Sequence, residues 1–147
     1  MEIRYARPSD IDFIYLCLKE LNDEEFFTLN EFRLFCEDKK IFESDHMCFV
    51  IGHEKGMDCG LLTCNKFFIP RYLGFGIELE EVVIIPELQG KGLIGQLITK
   101  YFDEIKKDDS IRKVIIKTGD SKIASKAYQK VFDKQQHILF SKRINYL

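Results

Sequence analysis

The stretch from Glu78 to Lys100, ELEEVVIIPELQGKGLIGQLITK, constrains the fold of this 147-residue chain more than any other. Its β-branched apolar run, Val82 to Ile85, predicts a buried strand that ends at Pro86, since proline has no N–H to donate to a neighbouring strand. Three glycines and then an apolar stripe at helical spacing follow. The glycines are Gly90, Gly92 and Gly95, and the stripe is Leu93, Ile94, Leu97, Ile98, Tyr101, Phe102 and Ile105. This order directs unpaired N–H groups at an anion and predicts a phosphate-bearing ligand at the helix N-terminus.

The rest of the chain predicts alternating strands and helices without a linker or an internal repeat. Strands are expected at about 1–7, 48–52, 59–68, 82–85, 114–117 and 137–143, and helices at 10–21, 26–40, 93–107 and 121–132. Residues 69–76, which contain one proline and two glycines, are expected to form a loop or bent connection. The order predicts one α/β (α+β) domain over residues 1–147, with an antiparallel front half and parallel pairing after the later crossovers.

The charge and hydropathy pattern excludes several classes of protein. The 22 basic and 24 acidic residues are nearly balanced, whereas a nucleic-acid binder should show a basic excess. No apolar run approaches the roughly 20 residues that span a membrane. The charged N-terminal segment MEIRYARPSD lacks the apolar core of a signal peptide. We therefore expect a cytoplasmic protein with neither a nucleic-acid nor a membrane partner.

The cysteines and histidines give no pattern for a metal site. The five cysteines include no CxxC pair, and the three histidines are not spaced as zinc ligands. We expect reduced, mostly buried thiols and no bound metal, because free cysteine packs as a small apolar residue. A nucleophilic cysteine with a nearby base remains an alternative.

Three motifs resemble the GCN5-related N-acetyltransferase (GNAT) superfamily over nearly the whole chain. The opening IRYARPSD is similar to the family's first strand and its entry into helix one. LEEVVIIPELQGKG is similar to the central strand and coenzyme A loop, and SKIA followed by Tyr128 is similar to the fourth helix. The sequence departs from the family at Ile94, where a small residue is usual, at Ser121, which replaces Asn, and at Phe132-Asp133, where Gly-Phe is usual.

The resemblance implies a mixed central sheet of six to seven strands with about four flanking helices. It also implies transfer of the acetyl group of acetyl-CoA to a primary amine, with a small molecule as the expected acceptor, by direct attack in a ternary complex. A homodimer is a further possibility. The residues implied in acetyl-CoA binding are Val83, Ile84, Gln89, Gly90, Lys91, Gly92, Leu93, Ile94, Gly95 and Ser121. In this scheme the backbone near Ile84 polarises the thioester oxygen, a contribution of about 3 kcal/mol.

The catalytic groups are expected at the acidic start of the central strand and on the last helix. An aliphatic amine must lose a proton before it attacks, so a general base is needed. We favour Glu80, then Glu81, with Glu78 in reserve. Strict alternation puts Glu78 and Glu80 on one face and Glu81 on the other, although a bulge can turn either inward. The resemblance assigns Tyr128 as the acid that protonates the departing thiolate.

The acceptor and two alternative functions remain open at this stage. We expect the acceptor pocket around residues 23–27 and 68–75, where acidic and aromatic side chains suit a cationic amine and Arg71 suits a phosphate or carboxylate. One alternative is a non-catalytic acyl-CoA-binding or regulatory module, which the departures at Ile94 and Ser121 support. The other is a protein or peptide N-acetyltransferase, which would need an open groove.

Overall fold

A computed structural model describes residues 1–21, 27–117, 128, 129 and 132. Within them the order is β1 (Glu2–Tyr5), α1 (Ile11–Lys19), α2 (Leu29–Asp38), β2 (Met47–Glu54), β3 (Met57–Ile69), β4 (Gly74–Ile84), α3 (Leu93–Ile105) and β5 (Ile111–Ile116). The strands form one mixed sheet in the order β1-β2-β3-β4-β5, antiparallel except for the parallel pair β4-β5. The predicted α/β class and parallel pairing are confirmed. The predicted fourth helix and sixth strand lie outside the described residues, apart from Tyr128, Gln129 and Phe132.

The start of each N-terminal helix is fixed by a local polar contact. Before α1, the Asp10 carboxylate accepts hydrogen bonds from the Arg4 guanidinium at 2.7 and 3.0 Å and from the Arg7 N–H at 2.8 Å. Arg4 therefore holds the pKa of Asp10 below its usual value. Thr28 caps α2, since its hydroxyl accepts from the Glu31 N–H while the Glu31 carboxylate accepts from the Thr28 N–H. This capping box sets the start of α2 three residues after the predicted start at 26.

The long hairpin β3-β4 extends further than the sequence predicts. The predicted loop at 69–76 is a single turn at Pro70–Tyr72, closed by Leu73 in the left-handed region at φ 46°. Gly74 and Gly76 already belong to β4, where Gly76 lies against the Phe67 ring. The glycines there serve close packing between strands, not a bend in a loop.

The sheet separates two apolar clusters. The α3 cluster lies under α3 and the α1/α2 cluster under α1 and α2. The buried members of the α3 cluster are Val50, Leu62, Cys64, Ile77, Leu79, Ile84, Leu93, Leu97, Ile98, Tyr101 and Ile105. Those of the α1/α2 cluster are Ile11, Ile14, Cys17, Phe32, Cys36, Phe49, Ile51, Leu61 and Val83. The predicted apolar stripe of α3 is confirmed, and it fixes which face of each strand meets this helix.

Candidate active site

β4 loses its parallel neighbour halfway along its length. Its pairing with β5 runs from Phe75 opposite Ile111 to Leu79 opposite Ile116 and stops there. β4 continues to Ile84, paired on its other side with β3. Among the residues that the structure describes, no strand lies beside β4 from Glu80 to Ile84. Within the described part, this half of the strand presents an open edge whose outward backbone groups are not paired with another strand.

A β-bulge lies at the point where the two halves of β4 meet. Thr63 of β3 faces Glu81, but the next residue, Cys64, faces Leu79, so Glu80 is the extra residue. The bulge reverses the alternation, because Leu79 packs in the α3 cluster and Val83 in the α1/α2 cluster. Of the two arrangements considered from the sequence, strict alternation and a bulge, β4 has the bulge.

The bulge brings the three glutamates of β4 to the α1/α2 face of the sheet. Glu81 lies beside Thr63 on this face, and Asn65 donates from its side chain to the Glu80 carboxylate at 3.1 Å. Glu78 precedes the bulge and alternates with Ile77 and Leu79 of the α3 cluster, so its side chain also leaves the sheet on the α1/α2 side.

Glu81 is the most firmly positioned of these carboxylates. The Thr63 hydroxyl donates to Glu81 Oε2 at 2.8 Å and accepts from the Glu81 N–H at 3.1 Å. Thr63 is 1% exposed, whereas Glu81 is half-buried. No described residue donates a hydrogen bond to the other carboxylate oxygen, Oε1, so this oxygen can accept a proton from an amine or a water.

The other two glutamates differ from Glu81 in exposure and pairing. Glu80 is exposed, and Asn65 is its polar partner. Glu78 forms an ion pair with Lys117, which follows directly after β5, and the hydrogen bond to Glu78 raises the pKa of Lys117. The pair lies where the two parallel strands separate. Of the three carboxylates, only that of Glu78 is neutralised by a described cation.

The backbone at Ile84 faces the open edge. The N–H of Ile85 donates to the Cys59 carbonyl of β3 at 3.0 Å, so by alternation the N–H and C=O of Ile84 point away from β3. The Gln89 side chain donates to this carbonyl at 2.9 Å. Gln89 thereby ties the following loop to the end of β4 and leaves the Ile84 N–H available to a ligand.

The glycine loop after β4 presents a row of N–H groups. Gly90 (φ 75°) and Gly92 (φ 73°) adopt the left-handed conformation, and Gly92 is the N-cap of α3. Within the described chain, no N–H from Gly90 to Gly95 donates a hydrogen bond. A Cβ on Gly90, Gly92 or Gly95 would meet open space. The loop can therefore admit a large anion close to its backbone.

The departure at Ile94 has a local explanation. Ile94 is half-buried and packs against the α3 cluster, as does the buried Leu93. The adjacent Gly95 provides the open surface in the first turn of α3. Lys91 is exposed and its ammonium donates to the Glu87 carbonyl at 3.3 Å, so it adds a cation at the rim of the loop.

Tyr128 lies on the opposite face of the sheet from the glutamates. It is half-buried against the α3 cluster, and burial raises the pKa of its phenol. Phe132 packs on Phe102 of α3 with ring centroids 5.1 Å apart. The predicted site residue Ser121 lies outside the described residues.

The residues expected around the acceptor separate in the structure. The turn that carries Arg71 and Tyr72 lies at the start of β4, and the seven residue steps from Gly74 to Glu81 span roughly 24 Å. Phe27 is half-buried against the α1/α2 cluster, and residues 23–26 lie outside the described part. The Arg71 turn therefore does not meet the carboxylates.

Sequence reasoning missed Thr63 and Asn65. Both stand in the apolar run of β3, and the only available signal was a polar residue at a buried position, which must find a hydrogen-bond partner. Their partners depend on the register between β3 and β4. No local pattern encodes that register.

A partly open cavity lies away from these residues. This cavity of about 430 Å³ sits at the other end of the sheet, under the C-terminal half of α3, and none of the predicted site residues lines it. The described residues contain no group of three or more His, Cys, Asp or Glu side chains placed to hold a metal ion. No helix among them is long and apolar enough to cross a membrane.

Comparisons with known proteins identify the fold. No family model matches the sequence, and no curated protein is similar to it in sequence. Many solved structures match the fold. One described as a probable acetyltransferase has a TM-score of 0.82 at 18% identity, over 99% of each chain.

Two further structures of this fold are aminoglycoside acetyltransferases. One, from an uncultured soil metagenomic sample and in complex with sisomicin, has a TM-score of 0.76 at 10% identity, over 98% of this chain and 96% of its own. The other, AAC(6')-Iy in complex with the bisubstrate analogue CoA-S-monomethyl-acetylneamine, has a TM-score of 0.74 at 17% identity, over 97% of each chain. The chain described here has the fold of the GNAT acetyltransferases.

Proposed function

We propose that this chain is an acetyl-CoA-dependent N-acetyltransferase that acts on a primary amine of a small molecule by direct attack in a ternary complex. The observation that carries the proposal is the open edge of β4 from Glu80 to Ile84, which leads into the glycine loop at the N-terminus of α3. An extended amide chain can pair with such an edge as an added strand, and a pyrophosphate suits the N–H groups beyond it. Acetyl-CoA has both parts in this order.

The proposed binding residues divide between the edge and the loop. Val83 and Ile84 contribute backbone groups, with the Ile84 N–H as the donor to the thioester oxygen. Gln89 fixes the loop through the Ile84 carbonyl. The pyrophosphate is proposed to lie on the N–H groups of 90–95, with Lys91 as the nearby cation. Acetyl-CoA supplies the activated thioester, and the backbone donor makes its carbonyl more electrophilic.

The proposed general base is Glu81, with Glu80 beside it as the alternative. Thr63 holds one oxygen of Glu81 and leaves the other free, so the carboxylate is fixed in position and can still accept a proton. Glu80 accepts a hydrogen bond from Asn65, and its side chain is exposed at the bulge. A base that is held close to the open edge needs less reorganisation than one that moves in solvent.

Tyr128 is the proposed general acid. A tyrosine phenol is protonated at neutral pH, burial raises the pKa of this one further, and the protonated form can donate to a departing thiolate. It packs on the α3 side of the sheet, whereas Glu81 lies on the α1/α2 side. In the proposed reaction, the amine and the thiol therefore approach the open edge of β4 beyond Leu79 from opposite faces of the sheet.

The acceptor is proposed to be a cationic amine of a small molecule. Glu80 and Glu81 lie on one face without a described cation beside them, and their negative charge favours such an acceptor. Solved structures of the same fold include acetyltransferases that bind aminoglycosides.

We further propose that residues 1–147 form one domain, that the protein is cytoplasmic and uses no metal, and that it can form a homodimer.

The direct test is a thiol-release assay with acetyl-CoA and a panel of amines that includes aminoglycosides, polyamines, amino sugars and peptides. We expect release with at least one small polycationic amine and a mass increase of one acetyl group on it. Calorimetry with acetyl-CoA, run in parallel, reports binding independently of turnover.

Three outcomes would each change the assignment. Acetyl-CoA binding without turnover on any amine favours the non-catalytic module. Turnover on peptides alone favours a protein or peptide acetyltransferase. Absence of acetyl-CoA binding removes the proposal altogether, since the open edge and the glycine loop are its basis.

A further inference from the structure

Cys48 and Cys64 form a close thiol pair across two neighbouring strands. They are directly opposite in the β2-β3 register, and their sulfur atoms are 2.8 Å apart. Opposite residues of antiparallel strands have Cα atoms about 4.5–5.5 Å apart, within the about 4.4–6.8 Å that a disulfide spans. The spacing of the two strands therefore permits a bond between these sulfurs.

Both thiols face the cavity under the C-terminal half of α3. The cavity holds about 430 Å³, and Lys66, Lys107 and Tyr101 also line it. Cys48 is half-buried, whereas Cys64 is 3% exposed. A small molecule in the cavity therefore reaches the sulfur of Cys48 first. Asp108 and Glu104 also line the cavity and form ion pairs with Lys66 and Lys107, so these two ammonium groups are already neutralised.

The two thiols differ in their hydrogen bonds. The hydroxyl of Tyr101 lies 3.0 Å from the sulfur of Cys64 and 3.9 Å from that of Cys48. The hydrogen bond with Cys64 lowers the pKa of Cys48, while the same contact and burial raise the pKa of Cys64. Cys48 is thus the more nucleophilic thiol, and Cys64 is placed to attack the sulfur of Cys48 in a second step.

The other three cysteines provide an internal comparison. Cys17, Cys36 and Cys59 are buried and do not line this cavity. Burial raises the pKa of each thiol, that of Cys17 to about 12. They are therefore expected to be unreactive under native conditions.

We propose that Cys48 and Cys64 form a thiol–disulfide exchange site for small-molecule disulfides and close into a cross-strand disulfide. In the first step the Cys48 thiolate attacks the disulfide, forms a mixed disulfide and releases one thiolate. In the second step Cys64 attacks the sulfur of Cys48, the second small thiolate leaves, and the proton of Cys64 passes to it. The protein loses two hydrogens, and the small disulfide is reduced to two thiols.

The test uses the reduced full-length protein with oxidised glutathione near neutral pH, followed by acid quenching, maleimide labelling in denaturant and mass spectrometry. We expect two of the five thiols to be lost without retained glutathione and a peptide that links Cys48 to Cys64. Cys64→Ala should retain one glutathione on Cys48. Cys48→Ala should keep its remaining thiols, and the control Cys36→Ala should still lose two.

Iodoacetamide labelling of the wild-type protein tests the proposal without any variant, so the test does not depend on whether a variant folds. In the native reduced protein, Cys48 should react with iodoacetamide at least about tenfold faster than Cys36, because it is more exposed and less protonated. Five free thiols after glutathione treatment, a disulfide through Cys17, Cys36 or Cys59, or equal labelling rates would overturn the proposal. None of these readouts depends on acetyl transfer.

Discussion

The two halves of β4 share β3 as the neighbour on one side, but among the described residues only the first half has a strand on the other side. From Phe75 to Leu79 the strand is paired with both β3 and β5. From Glu80 to Ile84 its only described neighbour is β3, and the bulge at Glu80 marks the change. The paired half carries Gly76 packed under the Phe67 ring, and the open half carries two carboxylates and a backbone donor.

The comparison shows why the proposed site is not at the cavity under the C-terminal half of α3. The cavity lies beside the paired half, where Ile77 contributes to its lining and β4 has a strand on each side. A ligand that is itself an extended amide chain is recognised by unpaired backbone groups, which only the open half provides. Changes in the open half should therefore alter activity, and changes in the paired half should alter stability.

Glu81→Gln, in the open half, should give the largest effect. Loss of the general base is expected to lower kcat by about 10²–10⁴-fold in the thiol-release assay, with little change in the unfolding midpoint. The deficit should shrink as the pH rises toward the pKa of the amine, about 10.4 for a lysine-like acceptor, because more of the amine is already neutral.

Glu80→Gln and Glu78→Gln are the matched controls for this prediction. Both side chains lie on the same face, and Glu78 is already paired with Lys117. We expect the effect of Glu78→Gln on kcat to be within about twofold. A larger loss with Glu80→Gln than with Glu81→Gln would move the base to the exposed position on the bulge.

Gly76→Ala, in the paired half, should affect stability alone. A Cβ at this position would overlap the Phe67 ring, which must move. Overpacking of this kind costs about 1–3 kcal/mol, measurable by urea denaturation. The kcat per folded molecule should stay at the wild-type value, and a matching loss of kcat would mean that the two halves are mechanically coupled.

Gly92→Ala, compared with a control glycine variant, distinguishes an effect of backbone strain on stability from an effect on ligand binding. An alanine in the left-handed region costs about 1–2 kcal/mol of stability. The control is Gly56→Ala in the β2-β3 turn, where φ is 85° and a Cβ also meets open space. Both variants should lose similar stability, but only Gly92→Ala should weaken acetyl-CoA binding in calorimetry, by about 1 kcal/mol or roughly fivefold in Kd. Equal binding by both variants would place the pyrophosphate elsewhere.

Gly95→Ala should change stability the least of these glycine variants. Unlike the others, it should stabilise the fold. Because Gly95 is helical and a Cβ there meets open space, alanine should stabilise the fold by up to about 1 kcal/mol. If the pyrophosphate lies on the first turn of α3, the same variant should raise the KM for acetyl-CoA. If the variant is stabilised and its KM for acetyl-CoA is unchanged, the pyrophosphate contacts residues 90–92 and not the first turn of α3.

Local patterns in the sequence determined much of the architecture. The β-branched run before Pro86 and the apolar stripe from Leu93 to Ile105 predicted the end of β4 and the whole of α3, because both depend on residue period and on proline chemistry. The glycines between them were predicted to form an anion-binding loop, again from a local pattern in the sequence. The parallel strand after α3 followed from the length of the connection.

Only the tertiary structure decided the face on which each glutamate lies and the partner it meets. The bulge at Glu80 depends on how β3 and β4 align, and a one-residue shift of register exchanges the faces of every following side chain. The pairing of Thr63 with Glu81 and of Cys48 with Cys64 depends on the same long-range alignment. The sequence by itself determined the order of the described elements but not the length of the hairpin β3-β4, whereas contacts between strands distant in sequence decided the chemistry of the site.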